Sequence, residues 1–234
     1  MTNNTDDKIF HVLGGGTVNH VRSHFALSAV AYGGTAKAMH KLFSDRGLNS
    51  QIHLTKMAAG GASKIETNDD VSGLVDEILA NPDSGVVVFN VAITDFQGQI
   101  GDVPSGKYAE RMKSRKAESL SVKLRMADKL VPRIKEQRPD IILVAFKTTT
   151  HVDEAEQINR GRGLLEGSKA DLVLANDTGT RVNMILDSDG NVLEKSSDRT
   201  QIIQSLTDHI CRLSGVIPQA EPERRPDVVD LEGE

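Results

Sequence analysis

The chain has 234 residues, 38% of them hydrophobic and 26% charged, the balance of one soluble α/β domain of ordinary size. Its net charge of −5 argues against nucleic acid as the main partner, and its lone cysteine excludes an internal disulfide or a cysteine-rich zinc site. No run approaches the roughly 18 apolar residues of a membrane span, and the polar start MTNNTDD does not read as a signal peptide, so no membrane association and a cytoplasmic location are expected.

Residues 1–7 are expected to be a disordered lead, 8–215 a single domain, and 216–234 a disordered tail rich in proline and charge. The first apolar run, 8–13, is followed by Gly14, Gly15, Gly16 and Thr17. This reads as a strand ending in a tight turn whose backbone N–H groups approach a ligand, most often a phosphate. A helical pattern over 22–46 follows, then a strand over 51–55. That second strand ends in Thr55-Lys56 with no acidic residue for ribose hydroxyls, which disfavours NAD; the absence of Gly-Lys-Ser/Thr excludes a Walker loop. A helix over 69–80 is capped within Asn68-Asp69-Asp70.

The third strand, 85–92, carries Asn90, Thr94 and Asp95 at its carboxyl end, where ligands bind in open α/β sheets. Asp95 there suits a magnesium ion carrying phosphates, or alternatively a cap. Residues 97–125 read as a long flap ending in a strand, with a basic stretch from Arg111 to Lys116 that could close over an anion. Beyond a helix over 127–138, the fourth strand, 140–146, delivers Phe146 and Lys147, placed to stack on a base and meet a phosphate. The next helix, 152–167, bears Arg160 and Arg162; Gly161 and Gly163 each weaken it by roughly 1 kcal/mol, which points to a close approach or a break. The fifth strand, 170–175, ends in Asn176-Asp177. Residues 181–195 read as an accessory hairpin turning at Asp189-Gly190, and 198–213 as a last helix capped at Ser197-Asp198. Short apolar runs alternating with helices define a Rossmann-like α/β fold, a doubly wound, mostly parallel sheet with a small accessory β-hairpin and flap. Three strands bring polar residues to one edge. The seven histidines show no metal spacing and no Ser-His-Asp set can be ordered.

In this order, GGGT, NVAITDF, RMKS with LSVKLRMADKLVPRIKE, and DIILVAFKTTT with ADLVLAND resemble the phosphopantothenate–cysteine ligase (phosphopantothenoylcysteine synthetase) family over roughly residues 8–213. The resemblance implies a ligase of coenzyme A biosynthesis. A nucleoside triphosphate, ATP or CTP, activates the carboxylate of 4′-phosphopantothenate as an acyl-nucleotidylate with loss of pyrophosphate, and the amine of cysteine then attacks. Mg²⁺ and a homodimer are implied with it. Carried over residue by residue, Asp95 is the acidic residue at the triphosphate and metal, and Arg111 or Lys113 the catalytic strap residue. Gly14, Gly15, Gly16, Thr17, Phe89, Asn90, Val91, Ala127, Leu130, Phe146, Lys147, Arg160 and Arg162 are the nucleotide-binding candidates. Arg22, Ser28, Gly33, Gly34 and Asn176 are the substrate-binding candidates.

The family pattern after Val21-Arg22 is Ser-Asn-x-Ser-Ser-Gly-x-x-Gly, whereas this chain reads SHFALSAVAYGGT; the Asn is missing, and Thr149 stands where the family has Glu. A relative acting on a different carboxylate and a non-catalytic nucleotide-binding protein are the competing readings.

Overall fold

The computed structural model describes residues 8–112 and 119–216. The expected disordered lead and tail fall outside the described residues, as does Lys113. One seven-stranded sheet organises the chain, in the order β11 (Val192–Ser196), β10 (Asn183–Asp187), β9, β8, β5, β1, β4. Its parallel part comprises β1 (Ile9–Gly16), β4 (Ser50–Leu54), β5 (Ser84–Ala92), β8 (Ile142–Thr149) and β9 (Leu172–Asp177). The helices are α1 (Gly34–Asp45), the short α2 (Lys56–Ala59), α3 (Asn68–Ala80), α4 (Val131–Gln137), α5 (Glu154–Ser168) and α6 (Arg199–Leu213).

The strands read as continuous apolar runs because both faces are covered. Phe10 and Val12 of β1 and Val86 and Val88 of β5 pack with Met39 and Phe43 of α1 and Ile202, Leu206 and Ile210 of α6. Leu13, Val87 and Phe89 point the other way, into a core with Val71 and Val75 of α3, Ile134 of α4 and Leu165 of α5. Chain order runs outward from β1 to β4, then returns to β5 on the other side of β1. The strand order therefore reverses between β1 and β5, the point at which α/β sheets open a crevice at their carboxyl edge.

Four expectations change, one being the helix expected over 127–138, which is only Val131–Gln137. The helix expected over 22–46 is only Gly34–Asp45; ahead of it β2 (Val18–Arg22) and β3 (Phe25–Ser28) pair as a separate antiparallel hairpin. The hairpin expected to be accessory, β10 (Asn183–Asp187) and β11 (Val192–Ser196), instead extends the main sheet antiparallel to β9. Its turn has Gly190 at φ 78, as a tight turn requires. The flap ends in a strand as expected, β7 (Lys123–Met126), which pairs with β6 (Phe96–Gln99) in a separate two-stranded sheet. The N-cap of α3 is Thr67, in a reciprocal capping box with Asp70, one residue before the expected stretch. Asp198 caps α6 as expected, accepting from the N–H groups of Thr200 and Gln201.

Candidate functional site

A cleft of about 860 Å³ lies at the carboxyl edge of the sheet. Its floor is formed by the strand ends: Phe89, Asn90 and Val91 of β5, Ala145, Phe146 and Lys147 of β8, and Asn176 of β9. One wall is the segment Ala127–Pro132 leading into α4; the other is the loop Ala29–Gly33 and the first turn of α1, with Arg199 of α6 beside it. Eleven residues singled out in the sequence thus meet in one place: Gly33, Gly34, Phe89, Asn90, Val91, Asp95, Ala127, Leu130, Phe146, Lys147 and Asn176.

The three glycines of β1 act differently from the turn expected of them. They are a buried continuation of the strand, paired with Asn90, Val91 and Ala92 of β5, and they do not line the cleft. What approaches them is protein. A Cβ on Gly14 would stand 2.4 Å from Ala36 Cβ of α1, and one on Gly16 would stand 1.8 Å from the Ala29 carbonyl oxygen. Gly15 has φ +102 and meets Thr55. The missing side chains let α1 and the loop before it settle onto the strand end, and that places the cleft wall. Thr17 is also buried, its hydroxyl donating to Asn68 Oδ1 at 2.6 Å and accepting from the Thr94 N–H at 2.8 Å. It ties β1 to α3 and to the segment after β5, away from the cleft.

Charge in the cleft is unbalanced. Asp95 and Asp128 face Lys129, Lys147 and Arg199. Asp95 is exposed and pairs with Lys129 Nζ at 2.7 Å, while its backbone carbonyl accepts from the Ala127 N–H at 2.9 Å. The excess is positive in a chain whose net charge is −5, as an anionic ligand requires. Phe146 lies in the cleft with part of its ring against the core packed around α6.

Other predicted residues go elsewhere. Arg160 forms an i,i+4 pair with Glu156 at 2.7 Å. Arg162 donates to the Gly190 carbonyl at 3.0 Å and packs on the β10–β11 turn. The buried Arg22 donates to the carbonyls of Val21 and Ile100, each at 2.6 Å. Ser28 is exposed on β3 and Arg111 is exposed in the flap, neither lining the cleft. Lys107, also in the flap, bonds Glu66, which receives Lys56 as well at 2.9 Å. These hydrogen bonds, Lys107 first, pull the Glu66 carboxyl down to about 2. The flap is thereby tied to the residue just before the Thr67 cap of α3.

Asp177, beside Asn176, is a structural latch. Buried, it accepts from the N–H groups of Thr180, His151 and Gly179 and from the Thr149 hydroxyl. The Thr180 N–H and the other donors hold its carboxyl well below the usual range against the opposing effect of burial. Thr149, at the position of the family Glu, is therefore occupied in fixing the β8 and β9 ends. Gly161 has its reason in packing: a Cβ there would lie 3.2 Å from Leu186 Cδ2. Nothing lies within 4 Å of such a Cβ on Gly163, and the structure gives no account of that glycine. The charged and aromatic site residues the sequence did not single out are Tyr32, Asp128, Lys129 and Arg199. Tyr32 adjoins the flagged Gly33-Gly34, and Lys129 falls inside the flagged stretch 127–130; Arg199 carried no local signal beyond the helix cap before it.

Fold and site together define a Rossmann-like α/β protein with a cationic cleft of nucleotide size at its switch point. Its relatives are specific. The chain is 29% identical over 113 residues to the coenzyme A biosynthesis bifunctional protein CoaBC of Thermococcus kodakarensis, covering 48% of this chain and 26% of that protein. It is 24% identical over 169 residues to CoaBC of Methanocaldococcus jannaschii, covering 71% of this chain and 40% of that protein. The matched region is thus less than half of either relative. No family model matches the chain.

Among solved structures, the DNA/pantothenate metabolism flavoprotein of Streptococcus pneumoniae superposes with a TM-score of 0.72 at 19% identity, over 88% of this chain and 99% of that one. The C-terminal domain of CoaBC superposes with a TM-score of 0.64 at 15% identity, over 90% and 98%. A Cab2 variant complexed with phosphopantothenate-cysteine does so at 0.63 and 14%, over 90% and 87%. The Rossmann-like fold is therefore shared, and the resemblance to the phosphopantothenate–cysteine ligases carried by the sequence motifs agrees with both comparisons.

Proposed function

We propose that the chain is a nucleotide-dependent acid–amine ligase of the phosphopantothenate–cysteine type, acting through an acyl-nucleotidylate. The observation that carries this reading is the convergence of Asn90, Phe146, Lys147 and Asn176 from three strand ends on one net-cationic cleft. The base packs on Phe146, and Lys147 offsets charge that develops at the α-phosphate as the acid's carboxylate attacks and pyrophosphate leaves. The amine of cysteine then displaces the nucleoside monophosphate, with no protein nucleophile. Mg²⁺ takes one or two carboxylates plus phosphate oxygens, and Asp95 and Asp128 on the cleft suit that donor set. These two carboxylates would hold the ion, which would neutralise triphosphate charge.

One observation favours a second reading, a different acid. Arg22 is spent on two backbone carbonyls and Ser28 does not line the cleft, so on this second reading the acid would meet the loop Ala29–Gly33 instead. The exposed apolar side chains Phe96, Leu124 and Met126 on β6 and β7 support a homodimer closing over the flap. Among the described residues, no helix is long and apolar enough to cross a membrane.

The test is pyrophosphate release with ATP or CTP, 4′-phosphopantothenate and cysteine. Release that needs all three supports the ligase. Release with another carboxylic acid alone supports the second reading, and no release with any acid counts against both.

A further inference from the structure

Arg199 is the first residue of α6, held 164 positions along the chain from the residue it touches on α1. Its Nη1 donates to Asn183 Oδ1 at 2.6 Å and its Nη2 to Thr35 Oγ1 at 3.0 Å, both neutral acceptors. Burial lowers the guanidinium from its ordinary value, and no carboxylate offsets this among the described residues. A partly desolvated charge without a counter-ion is costly in a folded protein. Its neighbour makes the imbalance worse. Thr35 lies in the first turn of α1, whose N-cap is Gly33 in the left-handed region, with no side-chain cap and no acidic residue in the first turn. The N–H groups of Gly34, Thr35 and Ala36 have no acceptor among the described residues. A guanidinium and the positive end of a twelve-residue helix thus abut on the wall of the cleft with no anion between them.

We propose that Arg199 is a further phosphate-binding residue, adding a guanidinium beside the Gly33-Gly34 turn at which the family resemblance already implies substrate binding. The fork of the guanidinium keeps donors beyond the two already spent, and the open helix N–H groups supply more. This inference rests on the reading of the cleft as a site for a nucleotide and a phosphorylated acid. The phosphoryl group belongs either to the nucleotide or to the acid, and the ligands of the test separate the two.

Wild type, Arg199→Gln and Arg199→Lys would be titrated calorimetrically with inorganic pyrophosphate, ATP, CTP, 4′-phosphopantothenate and pantothenate, with circular dichroism melts to establish folding. Arg199→Gln is expected to weaken binding of the nucleotides and pyrophosphate, or else of 4′-phosphopantothenate, by at least about tenfold, leaving pantothenate unchanged. Should the Gln variant fail to fold, Arg199→Lys, which keeps the charge and loses the fork, is expected to show a smaller loss on the same ligand. Unchanged affinity for every phosphorylated ligand in a folded variant overturns the inference, as does wild type binding none of them. Binding is read without turnover. Arg199-dependent binding with no ligase activity retires the ligase reading alone, whereas turnover with an unchanged KM in Arg199→Gln retires this inference alone.

Discussion

Gly16→Ala tests the claim that the glycines of β1 exist to seat the cleft wall. The added Cβ would stand 1.8 Å from the Ala29 carbonyl oxygen, 2.8 Å from the Ala31 N and 2.9 Å from Met57 Sδ. Two of the three neighbours are backbone, so no rotamer change relieves the clash; the loop carrying Ala29, Ala31 and Gly33 must retreat by more than about 1 Å, the kind of overpacking that costs about 1–3 kcal/mol. For a chain of this size, about 2 kcal/mol corresponds to a fall in Tm of about 4–8 °C. Because the same loop lines the cleft, nucleotide binding should weaken along with stability. The assay is differential scanning calorimetry beside nucleotide titration. Gly163→Ala provides the opposite sign: it lies inside α5 with nothing within 4 Å of the new Cβ, and is expected to raise stability by about 0.5–1 kcal/mol. A Gly16→Ala protein that melts and binds as wild type would refute the reasoning.

Two further outcomes follow from the structure. His11 is buried between His53, at 3.1 Å, and the Ser84 hydroxyl, at 2.9 Å, and burial together with the neighbouring His53 pushes it down to about 4 from an ordinary 6.5. The unfolded chain takes up that proton first, so stability should fall as pH drops from 6.5 towards 4, and His11→Gln should flatten this slope in melts across that range. Asp95→Asn should abolish the magnesium-dependent part of nucleotide binding, since the exposed carboxylate is the one placed at the carboxyl end of β5 beside Lys129; an affinity that still responds to magnesium as wild type does would remove Asp95 from the site.

The parts of the fold legible in the sequence are those whose pattern is set locally. Strands β1, β5, β8 and β9 are covered on both faces, so Val86–Phe89 and Leu172–Ala175 read as unbroken apolar runs. Asn90, Lys147 and Asn176, the polar residues that end three of these runs, then mark the cleft floor without any tertiary knowledge. The β2–β3 hairpin was hidden because its strands are five and four residues long and only partly buried, too short for a period-2 signal to stand out from a helical one. The β10–β11 hairpin showed its turn but not its partner: a strand that closes an otherwise parallel sheet has the same pattern as one in a detached ribbon. The glycines of β1 misled because the sequence shows that side chains are absent but not what fills the space, here Ala36 and the Ala29 carbonyl rather than a ligand. Arg199 was invisible because its contacts with Thr35 and Asn183 exist only once α6 has packed against α1 and the sheet edge.

The proposed chemistry makes the carboxylate oxygen of the acid the bridge to the α-phosphorus, and attack by the amine then breaks the acyl carbon–oxygen bond. The most direct measurement is therefore mass spectrometry of the products formed from 4′-phosphopantothenate labelled with ¹⁸O in its carboxylate, in the presence of cysteine and ATP or CTP. The account predicts one ¹⁸O atom in the nucleoside monophosphate and none in pyrophosphate. Label in inorganic phosphate with release of a nucleoside diphosphate, or no transfer of label at all, would contradict it.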